Sequence, residues 1–338
     1  LKTQYAPIFS FHYPMEPAAF SFFDIGKGKS YHSNNSADKQ VEIGCTVLLQ
    51  KLIDKVKNDG FKCSMSLSGT YLELLETSYP EHLSDLNKLI RKGSIELIGG
   101  TYYHSMSSCI SESLFEFEVA QLQNKFYDLF KIQPTVFQNT VHLYHNTVSS
   151  SINKLSFQAC IVEMNKWHLN GIKEVGVMQS SMNPSLKILL NASEETTNNK
   201  FNMQVMNGYG IPYHKEVSTL FWEGLDGGSN MTINELLDTT TEPTPTYVVP
   251  LTLAMRNNEV NIDTLVHTPL QKDVIAIINR LEQEMAINSN YDFMAELSFF
   301  SSYDFLKRLN STNQENNAYE VYLTYINMLA DLELKIKG

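Results

Sequence analysis

In this 338-residue chain, a set of polar and aromatic side chains recurs at one kind of place, the carboxyl end of a strand-like apolar run. His12 closes the run from Ala6, and Ser68 follows Phe61–Leu67. Tyr102, Tyr103 and His104 come after Ile95–Ile98, and His142 and His145 after Thr135–Phe137. Glu163 ends Ala159–Glu163, and Glu223 closes a run from Val217. Imidazoles and carboxylates are the side chains that move protons or hold metal ions near neutral pH. Tyrosine rings offer a stacking face, although they fill cores just as readily. Tyr102 and Tyr103 alternate, so one is expected to face a ligand and the other to pack. Trp167, in the loop after Glu163, is a further aromatic platform. No carboxylate stands at ligand spacing from His12 or His104, so neither a metal centre nor a cofactor is expected. Ser68 lacks the G-x-S-x-G elbow of a serine hydrolase.

The elements that must carry these residues alternate. Helical spacing marks Val47–Val56, Tyr71–Glu76, Leu83–Arg91, Ser113–Phe130 and Thr147–Leu155, set among the strand-like runs, with the second and third consecutive. Such alternation, with a polar loop after every strand, predicts an α/β fold built on parallel strands, either a barrel or a doubly wound sheet. In barrels of this kind the site lies at the strand-end loops. The pattern loosens between Gly171 and Pro250, and Thr239–Thr246 is too rich in Thr and Pro to be helical throughout. Three helical stretches then follow, at Leu270–Met285, Phe293–Leu309 and Ala318–Ile336.

Composition narrows the partners. Hydrophobic residues make up 43 % of the chain, enough for a large core, so a disordered chain or a fibre is excluded. A net charge of −11 disfavours a phosphate backbone, so no nucleic acid is expected. No apolar run approaches the ~18 residues that a membrane span needs, so no membrane partner is expected. Cys45, Cys63, Cys109 and Cys160 form no C-x-x-C pair and read as reduced core thiols, which points to a cytoplasmic location. The chain begins at Leu1 with neither an initiator Met nor an apolar signal core, and its Asn-X-Ser/Thr sites are few.

Several stretches together resemble glycoside hydrolase family 57, most closely its bacterial α-amylase-like branch. Phe11-His-Tyr-Pro14 is similar to a strand ending in His-Gln-Pro, and Phe22-Phe-Asp-Ile-Gly26 to the loop that follows. Ser66–Glu73, Gly99–Ser105 and Pro134–Val141 resemble the next signatures in order. Leu270–Asp273 and Tyr319–Glu333 resemble C-terminal ones, so the likeness runs along nearly the whole chain. It implies an incomplete (β/α)7 TIM-like barrel over residues 1–255 and a helical C-terminal region over 256–338. It also implies retaining chemistry on α-glucans such as maltooligosaccharides, with a Glu nucleophile and an Asp acid/base about 5–5.5 Å apart. His12, His104 and Glu163 match family positions, and with the aromatic Tyr103, Trp167 and Trp222 they are the candidate substrate-binding residues.

The chemistry carries over less well than the scaffold. Asn139-Thr-Val-His-Leu-Tyr144 stands where the family reads Asn-Thr-Glu-Leu-x-Tyr, so the nucleophile position is Val141, which has no lone pair. His142, read as the next residue of an extended segment, is expected to point to the opposite face. Glu223 stands at the acid/base position, one methylene longer than the expected Asp, with Asp226 nearby. Leu251–Met255 replaces a Ser-Trp-Ala-Asp segment, and Gly100 a Glu. Three readings follow. The first is a homologue that has lost catalysis, binding α-glucan or regulating a neighbouring carbohydrate-active enzyme. The second is an active hydrolase or transglycosylase with a relocated carboxylate. The third is a structural or interaction protein whose cleft is filled.

Overall fold

The computed structural model describes residues 4–33, 39–164, 177–191, 202–207, 229–239, 245–249, 266–310 and 317–338. The strands are β1 (Gln4–Phe11), β2 (Cys63–Leu67), β3 (Ile95–Ile98), β4 (Val136–Gln138), β5 (Ala159–Glu163), β6 (Val177–Ser180), β7 (Lys187–Asn191), β8 (Asn202–Asn207), β9 (Ser229–Asn230) and β10 (Thr246–Tyr247). Helices α1 (Lys39–Asp59), α2 (Gly69–Ser78), α3 (Pro80–Arg91), α4 (Glu112–Phe130) and α5 (Val148–Lys154) run between the first five strands. A short α6 (Ile233–Asp238) follows β9, and α7 (Pro269–Ile287), α8 (Met294–Phe300), α9 (Tyr303–Arg308) and α10 (Ala318–Lys337) form the C-terminal part.

Eight of the described strands run parallel in two sets, with the short β9 paired to β1. β8, β1, β2 and β3 pair in that order, as do β4, β5 and β7. A parallel bridge between Gly99 and Phe137 joins the two sets, and β7 comes near β8 on the other side, with no ladder between them among the described residues. This is an incomplete barrel with a helical part, as expected. β6 departs from the simple alternation: it runs antiparallel to β7 and carries β10 on its other edge.

The period-2 geometry of a strand divides each one between two cores. Phe9, Phe11, Cys63, Met65, Leu67, Ile95 and Leu97 face outward and pack with α1–α4. Ala6, Ile8, Ile98, Val136, Ala159, Ile161 and Leu189 fill the interior. Interior positions turn polar at the carboxyl ends, where Ser10, Ser66 and Gln138 line a cavity. At the amino end α6 acts as a plug, with the Ile233 N–H donating to Ser64 Oγ and the Asn234 N–H to Glu96 Oε2, both at 3.0 Å. The barrel is thus closed at its amino end.

Gly99 is required at the joint between the sheets, because a Cβ there would stand 2.4 Å from the Phe157 ring. The C-terminal helices share one core with loops of the barrel: Phe20, Tyr31, Met106 and Leu143 are buried among Leu281, Phe299, Phe305 and Leu329. The expected boundary at residues 255 and 256 lies outside the described residues. The helix read from Phe293 to Leu309 is in fact two, broken at Ser301 and Ser302. Among the described residues no helix is long and apolar enough to cross a membrane.

Candidate functional site

At the carboxyl ends of β1–β4 lies a cavity of about 70 Å³. His12, Ser68, Gly100, His104, Val141 and His142 contribute to its wall, and among the described residues no carboxylate lines it. Its size suits a few water molecules and falls well short of the roughly 300–1000 Å³ of a pocket for a drug-sized ligand.

His12 follows the last residue of β1 and is 3 % exposed. Its Nδ1 lies 2.9 Å from Ser68 Oγ, and its Nε2 lies 2.6 Å from Asp304 Oδ2. Ser68 caps α2, accepting from the Tyr71 N–H at 3.2 Å, so its role is structural and no nucleophile is built there. His104 sits beside His12, with ring centroids 4.5 Å apart, and its backbone is in the left-handed region at φ 52°. Burial, with the neighbouring His12 adding to it, pushes the His104 imidazole down to about 3. Burial works to raise the Asp304 carboxyl, but the attraction of His12 outweighs it and holds the group at about 2.

Asp304 is the functional residue that sequence reading missed. It belongs to α9, whose N-cap Ser302 accepts from the Phe305 N–H. The break before it is pinned by the loop after β3, since Met106 N–H donates to Ser301 O at 2.9 Å and Tyr303 N–H to His104 O at 3.0 Å. The Ser301-Ser302 pair was the available signal, because serine favours helix caps over helix interiors.

A second polar chain crosses the barrel mouth. Gln138 joins Ser10 to His142 Nε2, at 3.1 and 2.9 Å. His142 Nδ1 lies 3.1 Å from Glu163 Oε2, which also accepts from Asn191 Nδ2 at 3.1 Å. The expectation that His142 points away from Val141 is overturned. Residues 140–142 form a 3-10 turn rather than an extended segment, with φ at 43° for Val141 and 53° for His142, so both line the cavity. Val141 is half-buried and also packs against the helical core.

Both tyrosines pack, and neither is among the residues that line the cavity, so the expected division between a packing and a ligand-facing ring is not seen there. Tyr102 lies against Gly69, where a Cβ would come within 2.4 Å of its ring, and its hydroxyl donates to Glu73 at 2.5 Å. Tyr103 is half-buried at the seam between the barrel and the C-terminal helices, its ring 6.2 Å from that of Phe299. His145 lies away from the cavity, 3.4 Å from Ser108 O. Trp167, Trp222, Glu223, Asp226 and Leu251–Met255 lie outside the described residues.

The profile of glycosyl hydrolase family 57 matches residues 30–205, just over half of the chain. A relative from Methanocaldococcus jannaschii, named "Putative alpha-amylase", is 29 % identical over 131 residues, which are 38 % of this chain and 27 % of that protein. The matched region therefore spans about a quarter of that relative's length. Two solved structures share the fold. The α-amylase AmyC from Thermotoga maritima aligns with a TM-score of 0.68 at 8 % identity, covering 100 % of this chain and 93 % of its own. A branching enzyme of this family from Pyrococcus horikoshii aligns with a TM-score of 0.65 at 11 % identity, covering 96 % and 88 %.

Proposed function

The chain belongs to glycosyl hydrolase family 57, and we propose that it is a member of α-glucan metabolism that no longer hydrolyses glucan. The observation that carries this reading is Val141. It occupies the position where the resemblance puts the nucleophile, and it lines the cavity at the barrel mouth. Retaining hydrolysis needs a carboxylate there to form the glycosyl-enzyme, and an isopropyl group cannot form it. Two acids near the barrel mouth, among the described residues, have partners already: Glu163 has His142 and Asn191, and Asp304 has His12. Glu223, at the acid/base position, would have no nucleophile to work with. The ligand class is α-glucan, and regulation of a neighbouring carbohydrate-active enzyme is the form such a role would take. The four cysteines, none of them in a disulfide, fit a cytoplasmic setting.

The cavity's size also favours a second reading, a structural or interaction protein with a filled cleft. Prolonged incubation with maltooligosaccharides, read by chromatography, tests the loss of catalysis, with Glu223→Gln as control. No product is expected from the folded protein. Product that disappears in Glu223→Gln would overturn the reading and revive the relocated-carboxylate enzyme. Calorimetric titration with maltoheptaose then separates the other two: heat of binding supports a retained glucan site, and its absence supports the filled cleft.

A further inference from the structure

We propose that His12, His104 and Asp304 form a binding site for one divalent transition-metal ion of the zinc class. This goes beyond the glucan reading and does not depend on it. The three side chains come from three separate places, the end of β1, the loop after β3 and the first turn of α9. Their ligand atoms all lie within 4.8 Å of one another. Around zinc, with bonds near 2.0–2.1 Å, tetrahedral ligand atoms stand about 3.3 Å apart. To complete the set, the His104 side chain has to close in and the His12–Asp304 pair, 2.6 Å apart, has to open. Two imidazoles and a carboxylate suit zinc and its neighbours rather than calcium or magnesium, which prefer all-oxygen shells.

The surrounding hydrogen bonds assign the His12 proton. Thr70 Oγ1 donates to Tyr13 O at 2.8 Å, which uses its one hydrogen. The 3.0 Å contact between Ser68 and Thr70 is then satisfied by Ser68 donating. With its own hydrogen spent, Ser68 Oγ accepts from His12 Nδ1. His12 Nε2 faces Asp304 Oδ2 at 2.6 Å, a hydrogen-bond distance. A divalent cation held by both atoms and by His104 would take the place of that hydrogen, the two atoms moving apart to about 3.3 Å. The Nδ1–H to Ser68 is the outer-shell bond that orients metal-binding histidines. Three protein ligands leave a fourth position, and the cavity lined by the same two histidines can supply it with water.

The test uses the whole chain, stripped with a chelator and titrated with Zn2+ by calorimetry, alongside His104→Gln and Asp304→Asn. One equivalent is expected to bind, with affinity reduced about tenfold or more in each variant. Circular dichroism verifies that each variant is folded. Should Asp304→Asn fail to fold, His104→Gln and the Co2+ spectrum of the unaltered protein decide. That spectrum is expected to show a low-symmetry site without thiolate charge-transfer bands. Three results would overturn the proposal: no stoichiometric binding, binding of undiminished affinity in the folded variants, or a thiolate signature in the cobalt protein.

Discussion

At position 141 a β-branched residue holds φ 43° and ψ 33°, a conformation that valine strongly disfavours. Strain of this kind costs of the order of 1–3 kcal/mol and persists where surrounding contacts over-determine the backbone. Glycine there would relieve it, while losing about 1 kcal/mol of half-buried apolar surface and about 0.5–1 kcal/mol of chain entropy. Val141→Gly is therefore expected to change stability by less than about 1 kcal/mol in urea unfolding. Val136→Gly, at a fully buried and extended position of β4, should cost about 3 kcal/mol. Equal losses in the two variants would mean that residue 141 carries no strain. A second residue couples the fold to pH. Glu118 is buried on α4, where burial raises its carboxyl to about 7 against hydrogen bonds that include Ser301 Oγ and the Tyr103 N–H. An acid raised in the folded state contributes fully below its ordinary value of 4.5, and that contribution is lost as pH climbs to about 7. Glu118→Gln removes this dependence. The stability of the unaltered protein relative to Glu118→Gln should thus fall by a few kcal/mol from pH 4.5 to 7, and a constant difference would refute the assignment.

Between elements, the joints matter more than the elements themselves. Ser302 caps the six-residue α9 and so aims Asp304 at His12. Ser302→Ala should cost about 1 kcal/mol in thermal or urea unfolding, and an unchanged midpoint would show that the cap does not position the helix. At the joint between the strand sets, Gly99→Ala puts a methyl group into the Phe157 ring. Overpacking of this kind costs about 1–3 kcal/mol, and a neutral result would mean that the ring moves freely. These joints are also where sequence reading stopped. Strands β1 to β5 were legible because each is a short apolar run bounded by turn residues, and α4, α7 and α10 because their apolar spacing is helical over several turns. The split between α8 and α9 was not, since apolar residues recur at helical spacing straight through Ser301 and Ser302. The turn at 140–142 was hidden for the opposite reason, as nothing about valine signals a left-handed backbone. His12 and His104 could be found at strand ends, whereas Asp304 stands 292 residues from His12 and meets it only through the docking of the C-terminal helices.

That docking makes one molecule of barrel and helices, and a single buried carboxylate concentrates it. Asp331 on α10 is fully buried and accepts from the Gly26 N–H at 2.6 Å and from the Tyr31 hydroxyl at 2.7 Å. Lys335 lies 2.9 Å from the same carboxylate and 4.3 Å from the centre of the Tyr31 ring, so both charges at this seam are answered. Gly26 holds φ 76° at the end of the loop Phe22–Gly26, which explains why a glycine closes that motif. Removing the carboxylate strands a buried N–H, a hydroxyl and an ammonium together. Losing one partner of such a buried arrangement costs about 3–5 kcal/mol, so Asp331→Ala should lower the unfolding midpoint sharply. Asp331→Asn, which keeps an acceptor for Gly26 or Tyr31, should lose less. Because Phe20, Tyr31 and Leu143 of the barrel lie in the same core as Phe305 and Leu329, the weakened protein should still unfold in one transition, followed by fluorescence and circular dichroism together. Two separated transitions in Asp331→Ala would show instead that the barrel stands without its helices, with Asp331 as the clasp between two independent bodies.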